Sequence, residues 1–167
     1  EMCIRDRTWD CENPNLYTLK LELINPQKQI VHIHEERIGF RTIEFRPKDG
    51  IYVNGTKIIV KGTNRHSFHP DGGRTTNREL SLQDALLIKE MNMNAVRSHY
   101  PPDKHFLEIC DSLGIFYLNE LAGWQNSYDT ETGLKLLSEM INRDVNHPCI
   151  FMWSNGNEGG WNKNIDA

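Results

Sequence analysis

The stretch Asn146-His147-Pro148-Cys149-Ile150-Phe151-Met152-Trp153-Ser154-Asn155-Gly156-Asn157-Glu158-Gly159-Gly160 decides how the chain is read. Residues 150–153 form an unbroken apolar run, which suits a strand covered on both faces in a parallel sheet. Pro148 before it and the glycines after it bound that strand. Glu158 therefore stands where a strand gives way to a loop. In a (β/α) barrel the C-terminal ends of the strands are where catalytic groups gather. The neighbours supply what a sugar site needs: Asn157 can donate and accept hydrogen bonds, the glycines let a ligand approach the backbone, and Trp153 and Trp161 offer apolar faces. Glu158 is read as a general acid/base, against the alternative of a solvated loop carboxylate.

Working back from that stretch, strands alternate with amphipathic helices from residue 58 onward. A strand is expected at 58–61. A helix follows, with Ser81 and Asp84 as a capping-box variant and Leu82, Ala85, Leu86 and Ile88 as its apolar surface. A second strand falls at 95–97, and a second helix starts near Asp103, with Phe106, Leu107, Cys110 and Leu113 at helical spacing and Gly114 as its stop. The third strand is expected at 115–118, and the third helix at 133–145 with Leu134, Leu137, Met140 and Ile141 facing in. Short buried strands alternating with helices imply parallel βαβ units. The four units expected here make an α/β fold, the first half of a (β/α)8 barrel.

The opening third reads differently. Residues 17–23 alternate apolar and polar side chains, and Asn25-Pro26-Gln27-Lys28 reads as a turn. Val31 and Ile33 then alternate with His32 and His34, which are expected to face solvent. Arg37-Ile38-Gly39-Phe40-Arg41 leads into Ile43 and Phe45, and these are read as the closing strands of an all-β sandwich. Arg46-Pro47-Lys48-Asp49-Gly50 marks the boundary, so residues 8–45 are assigned to the sandwich and 46–167 to the barrel. Asn54-Gly55 between two apolar runs is a hairpin signal, because both residues tolerate positive φ. Residues 1–7 lack periodicity and are read as a non-native leader.

The totals exclude several classes. The 167 residues carry a net charge of −4, which favours neither nucleic acid nor an anionic membrane as a partner, and no apolar run is long enough to span a bilayer. Cys3, Cys11, Cys110 and Cys149 are scattered and read as structural thiols.

The opening stretch resembles the acid/base motif of glycoside hydrolase family 2, the β-galactosidase and β-glucuronidase family. Asp144, Asn146, His147, Pro148, the aliphatic run, Trp153, Ser154, Asn157 and Glu158 fill its places in order. The resemblance covers residues 8–163 and implies an immunoglobulin-like sandwich ahead of the barrel. It implies a retaining exo-β-glycosidase, with a lean towards terminal β-galactosides, in which Glu158 is the acid/base and Asn157 contacts the sugar 2-hydroxyl. Gly62-Thr63-Asn64-Arg65-His66 resembles a substrate-binding segment, making His66 a ligand and Arg65 a supporting residue at the rim. Arg97-Ser98-His99-Tyr100-Pro101-Pro102 resembles another, in which Arg97 steadies the carboxylates and His99 bonds the sugar. Here the chain departs from the pattern. The family carries two residues between Arg and His, whereas this chain has only Ser98, so either His99 is displaced or the sequence contains an error.

Asn119-Glu120 stands where the family more usually has Asp-Glu. Glu120 is expected to pair with Arg97 or Arg65 as electrostatic support, against a purely structural ion pair. Trp124 is read as a sugar platform or as rim packing. The loop Leu121-Ala122-Gly123-Trp124-Gln125 lacks the carboxylate and His that hold magnesium in some β-galactosidases, so no metal or cofactor is expected, with a metal held by the closely spaced His66 and His69 as the open alternative. Trp153, Trp161 and the nucleophile are expected to keep Glu158 protonated at rest. The family's nucleophile is a Glu at the end of a seventh strand, which this chain does not reach. The piece alone is therefore expected to be inactive, with a carbohydrate as the partner of the parent protein. A β-glucuronidase or β-mannosidase of the same family, or a non-catalytic carbohydrate-binding protein, is the alternative. Homo-oligomerisation of the full-length protein stays open, and a bacterial cytoplasm or periplasm is the expected compartment.

Overall fold

The computed structural model describes residues 7–126 and 128–158; Trp161 and residues 1–6 of the expected leader lie outside the described residues. In chain order the elements are β1 (Tyr17–Ile24), β2 (Ile30–Ile38), β3 (Ile43–Arg46), β4 (Gly50–Val53), β5 (Thr56–Ile58), β6 (Gly62–Asn64), α1 (Arg78–Glu90), β7 (Ala95–Arg97), α2 (Lys104–Leu113), β8 (Phe116–Glu120), α3 (Thr130–Asp144) and β9 (Ile150–Ser154). β1 and β2 form a hairpin, β3-β4-β5 an antiparallel sheet, and β6-β7-β8-β9 a parallel sheet in sequence order. Consecutive parallel neighbours joined by helices are the repeat of a (β/α)8 barrel, and four such strands are half of its wall.

Several elements form where local chemistry dictates. Asn54 and Gly55 take φ of 51° and 79°, closing the β4–β5 hairpin. Asp103 precedes α2 and Gly114 ends it at φ 68°. A Cβ at Gly114 would also stand 2.5 Å from the Cys11 carbonyl oxygen. Gly114→Ala is thus expected to destabilise the chain by about 2 kcal/mol or more, through left-handed strain and that clash. An unchanged chemical-denaturation midpoint would contradict this.

Other expectations shift. The apolar residues 59 and 60 are not a barrel strand: Ile59 is 74% exposed, and the Asn94 side chain takes up the Ile59 carbonyl and the Lys61 amide. The first parallel strand is the polar β6, where Gly62 lies so close to Ala95 that a Cβ would come within 3.1 Å of its oxygen. α1 is capped by Asn77, whose side chain accepts from the Leu80 amide, and not by Ser81, which is buried inside the helix. Its inward face is Ser81, Ala85 and Ile88, leaving Leu82 and Leu86 exposed. α3 starts at Thr130 behind the Asp129 cap, and Leu134 faces outward while Gly133, Met140 and Asp144 are buried.

β3 pairs with β4 and not with β2, so the expected boundary at 45/46 falls inside a hairpin. Register in the first hairpin sets Leu19, Leu21 and Leu23 opposite Glu36, His34 and His32, with all three leucines exposed.

The core lies between the parallel sheet and its helices and extends below the sheet. Phe106, Leu107, Ile109 and Cys110 of α2 pack with Ala95, Val96, Phe116, Tyr117 and Ile150. At the N-terminal end of the strands Trp9 is wholly buried, its indole donating to the Asp111 carbonyl at 2.7 Å and its ring meeting Phe116 edge-on. The Asn-His-Pro segment belongs to this floor. His147 Nδ1 lies 2.6 Å from Asp111 Oδ2, the Cys149 amide donates to Asp111 Oδ1, and Arg41 donates to the Pro148 and Ile150 carbonyls. Removal from water lowers the pKa of the Arg41 guanidinium. These bonds fix where β9 begins, and hence where it ends.

Candidate active site

All four parallel strands deliver polar side chains to one cleft of about 750 Å³ at their C-terminal ends. Asn64 and His66 come from the end of β6, Arg97, His99 and Tyr100 from β7, Gly123 and Trp124 from β8, and Asn157 and Glu158 from β9; Arg74 joins them from the loop before α1.

At its base is an ion pair. Glu120 is 1% exposed and takes a forked pair of bonds from Arg97, with Nε to Oε2 at 3.0 Å and Nη2 to Oε1 at 3.1 Å. Nη2 also donates to Asn157 Oδ1 at 2.6 Å. Arginine only donates, so the Asn157 side chain must turn its carbonyl oxygen to Arg97 and its NH2 elsewhere. The pair therefore orients Asn157 as a donor beside Glu158. Glu120 has its charge compensated, which suits support and not attack on a sugar.

One wall is aromatic. His66 and His99 meet edge to face at 5.0 Å, and the Tyr100 hydroxyl accepts from the Ser67 amide at 2.9 Å and lies 3.4 Å from His66 Nδ1. Among the described residues the buried His99 Nε2 has no hydrogen-bond partner. Beyond the end of β7 His99 lines the cleft with Arg97, while Ser98 is buried and bonded to the Tyr117 hydroxyl and the Tyr100 carbonyl. Burial pushes the pKa of that Tyr117 hydroxyl upward, against a smaller opposing effect of the Ser98 bond.

The opposite wall is the β8 loop, held to the β9 loop by a bridge between Trp124 and Asn157. Backbone bonds run from Gln125 N to Asn157 O at 3.2 Å and from Asn157 N to Gly123 O at 3.3 Å. Trp124 is 68% exposed, and its Nε1 donates to Glu158 Oε2 at 3.1 Å.

Two expectations differ from this arrangement. Arg65 is not at the rim: it is 7% exposed on the helix side, bonded to Asp84 at 2.8 Å and Ser67 at 3.1 Å and stacked on Phe106. Alternation explains it, since its neighbours Asn64 and His66 face the cleft. Trp153 packs against the core and does not line the cleft beside Glu158. His69 is engaged in its own loop, with Gly73 by backbone and Asp71 by side chain.

Sequence reasoning assigned no role to Asn64, Tyr100 or Arg74. Tyr100 lay inside a quoted segment, whereas Arg74 follows eight residues after His66 in a loop with no periodic signal. No group of three or more His, Cys, Asp or Glu able to hold a metal occurs among the described residues, and none of their helices is long and apolar enough to cross a membrane.

The half-barrel gathers a carboxylate, a clamped asparagine and aromatic walls at the C-terminal ends of its strands, the rim where (β/α) barrels carry their functional groups. The family described as "Glycosyl hydrolases family 2, TIM barrel domain" matches residues 44–167, and "Glycosyl hydrolases family 2" matches residues 4–41. The chain belongs to glycosyl hydrolase family 2. It is 42% identical over 153 residues to a β-galactosidase of Thermoanaerobacterium thermosulfurigenes, covering 88% of this chain and 21% of that protein. It is 36% identical over 176 residues to a β-galactosidase of Lactococcus lactis subsp. lactis, covering 98% of this chain and 18% of that protein. The crystal structure of Parabacteroides merdae β-glucuronidase superposes with a TM-score of 0.85 at 30% identity, covering 96% of this chain and 21% of that chain. The chain thus spans about a fifth of the length of these relatives.

Proposed function

We propose that the complete protein is a retaining exo-β-glycosidase acting on terminal β-galactosides, with Glu158 as general acid/base. The observation that carries this reading is the Arg97 clamp, which turns the Asn157 amide into a donor directly beside Glu158 in a cleft with His66, His99 and Trp124. Glu158 protonates the departing oxygen and then takes a proton from the attacking water. Asn157 bonds the 2-hydroxyl, where hydrogen bonds strengthen in the transition state. His66 and His99 bond sugar hydroxyls, and the exposed indole of Trp124 packs on an apolar sugar face. The attacking carboxylate, which in a retaining enzyme stands about 5–5.5 Å from the acid/base, belongs to the remainder of the barrel. Glu120 is held by Arg97 and does not fill that place.

A hexuronide is a second reading, favoured by one observation. Arg74 lines the cleft with its guanidinium 4.6 Å above the Tyr100 ring, a cation in reach of a sugar carboxylate. Aryl β-galactoside, β-glucuronide and β-mannoside, offered side by side to the complete protein, separate the two. The galactoside is expected to give the highest kcat/KM, and Arg74→Gln to leave it within about threefold. A preference for the glucuronide that collapses in Arg74→Gln would replace the first reading with the second.

A further inference from the structure

We infer that Trp124 is a positioning residue for Glu158, its indole N–H holding the carboxylate in the orientation that proton transfer needs; this rests on the acid/base reading of Glu158. The indole nitrogen can only donate, and the structure aims it at Glu158 Oε2 at 3.1 Å. Among the described residues no cation takes that place: Arg97 is committed to Glu120 and Asn157, and Arg74 lies over Tyr100.

Two further observations make the contact a built one. The Trp124–Asn157 bridge fixes the two loops at the positions from which indole and carboxylate extend. Glu158 itself sits at φ 51°, a left-handed conformation uncommon for a glutamate. The indole edge bonds the carboxylate while its face stays open to the cleft, so holding the carboxylate and receiving a sugar are separable tasks of one side chain. Trp124→Phe separates them, since phenylalanine keeps an aromatic face and loses the donor.

The test uses the full-length protein labelled with ¹⁵N-tryptophan and, in parallel, its kinetics. Trp124→Phe identifies the Trp124 indole cross-peak by its loss. In Glu158→Gln, which puts a neutral acceptor in place of the carboxylate, that cross-peak is expected to move upfield while the buried Trp9 cross-peak stays and reports an intact fold. With substrates bearing a poor leaving group, Trp124→Phe is expected to lower kcat about tenfold, the worth of one hydrogen bond, and to leave KM within about twofold. A Trp124 cross-peak that does not move in Glu158→Gln overturns the inference, as does a Trp124→Phe enzyme with raised KM and unchanged kcat. The spectra need no substrate, so their failure is distinct from failure of the glycosidase reading, which shows as a wild-type protein that hydrolyses none of the aryl glycosides.

Discussion

Glu158→Ala in the complete protein is expected to slow hydrolysis of glycosides with poor leaving groups by about 10²–10⁴-fold, the usual contribution of a general acid/base. The loss should depend on the leaving group. An alkoxide must be protonated as it departs, whereas a nitrophenolate departs unaided. An activated aryl glycoside should therefore keep most of its rate of glycosyl-enzyme formation and accumulate the intermediate, which then waits for a water that has lost its base. The check is kcat/KM across a series of aryl and alkyl glycosides. Rates unchanged across the series would remove Glu158 from its role.

The second large effect falls on the ion pair under the site. Arg97→Met leaves the Glu120 carboxylate charged, 1% exposed and without its forked partner. Breaking a buried pair from one side costs about 3–5 kcal/mol, whereas replacing both partners by apolar residues is often close to neutral. Arg97→Met is thus expected to lower the denaturation midpoint strongly, and Arg97→Met/Glu120→Met to recover most of it. Activity should not return in the double variant, because Asn157 has lost the donor that orients its amide. Recovery of both stability and activity would reduce the pair to a structural one.

The parts of the fold that were legible in the sequence are those governed by neighbouring residues. Asn54-Gly55, Asp103, Gly114 and the apolar runs of β7, β8 and β9 each carry their own local reason. What escaped depends on distant contacts. β6 is polar because its strand is chosen by the close approach of Gly62 to Ala95, and a hydrophobicity pattern cannot register such a contact. Trp9 gave no periodic signal, yet it is buried against Phe116 and Asp111 about a hundred residues away along the chain. The candidate site divides along the same line. A motif names the strand end that carries a residue, so His66, Asn157 and Glu158 could be placed in one cleft. A motif does not state which way a side chain points. Arg65 therefore turned out to serve the helix layer, and His99 lines the cleft although the shorter spacing after Arg97 left its place open.

Whether Glu158 transfers the proton in a retaining reaction is decided by azide rescue of the complete Glu158→Ala protein. Azide is a nucleophile that needs no base, and with the carboxylate gone it can reach the sugar face that Glu158 guards. Azide is expected to restore turnover of an activated aryl galactoside, with the β-galactosyl azide as the product. No rescue, or an α-azide as the product, would contradict that role.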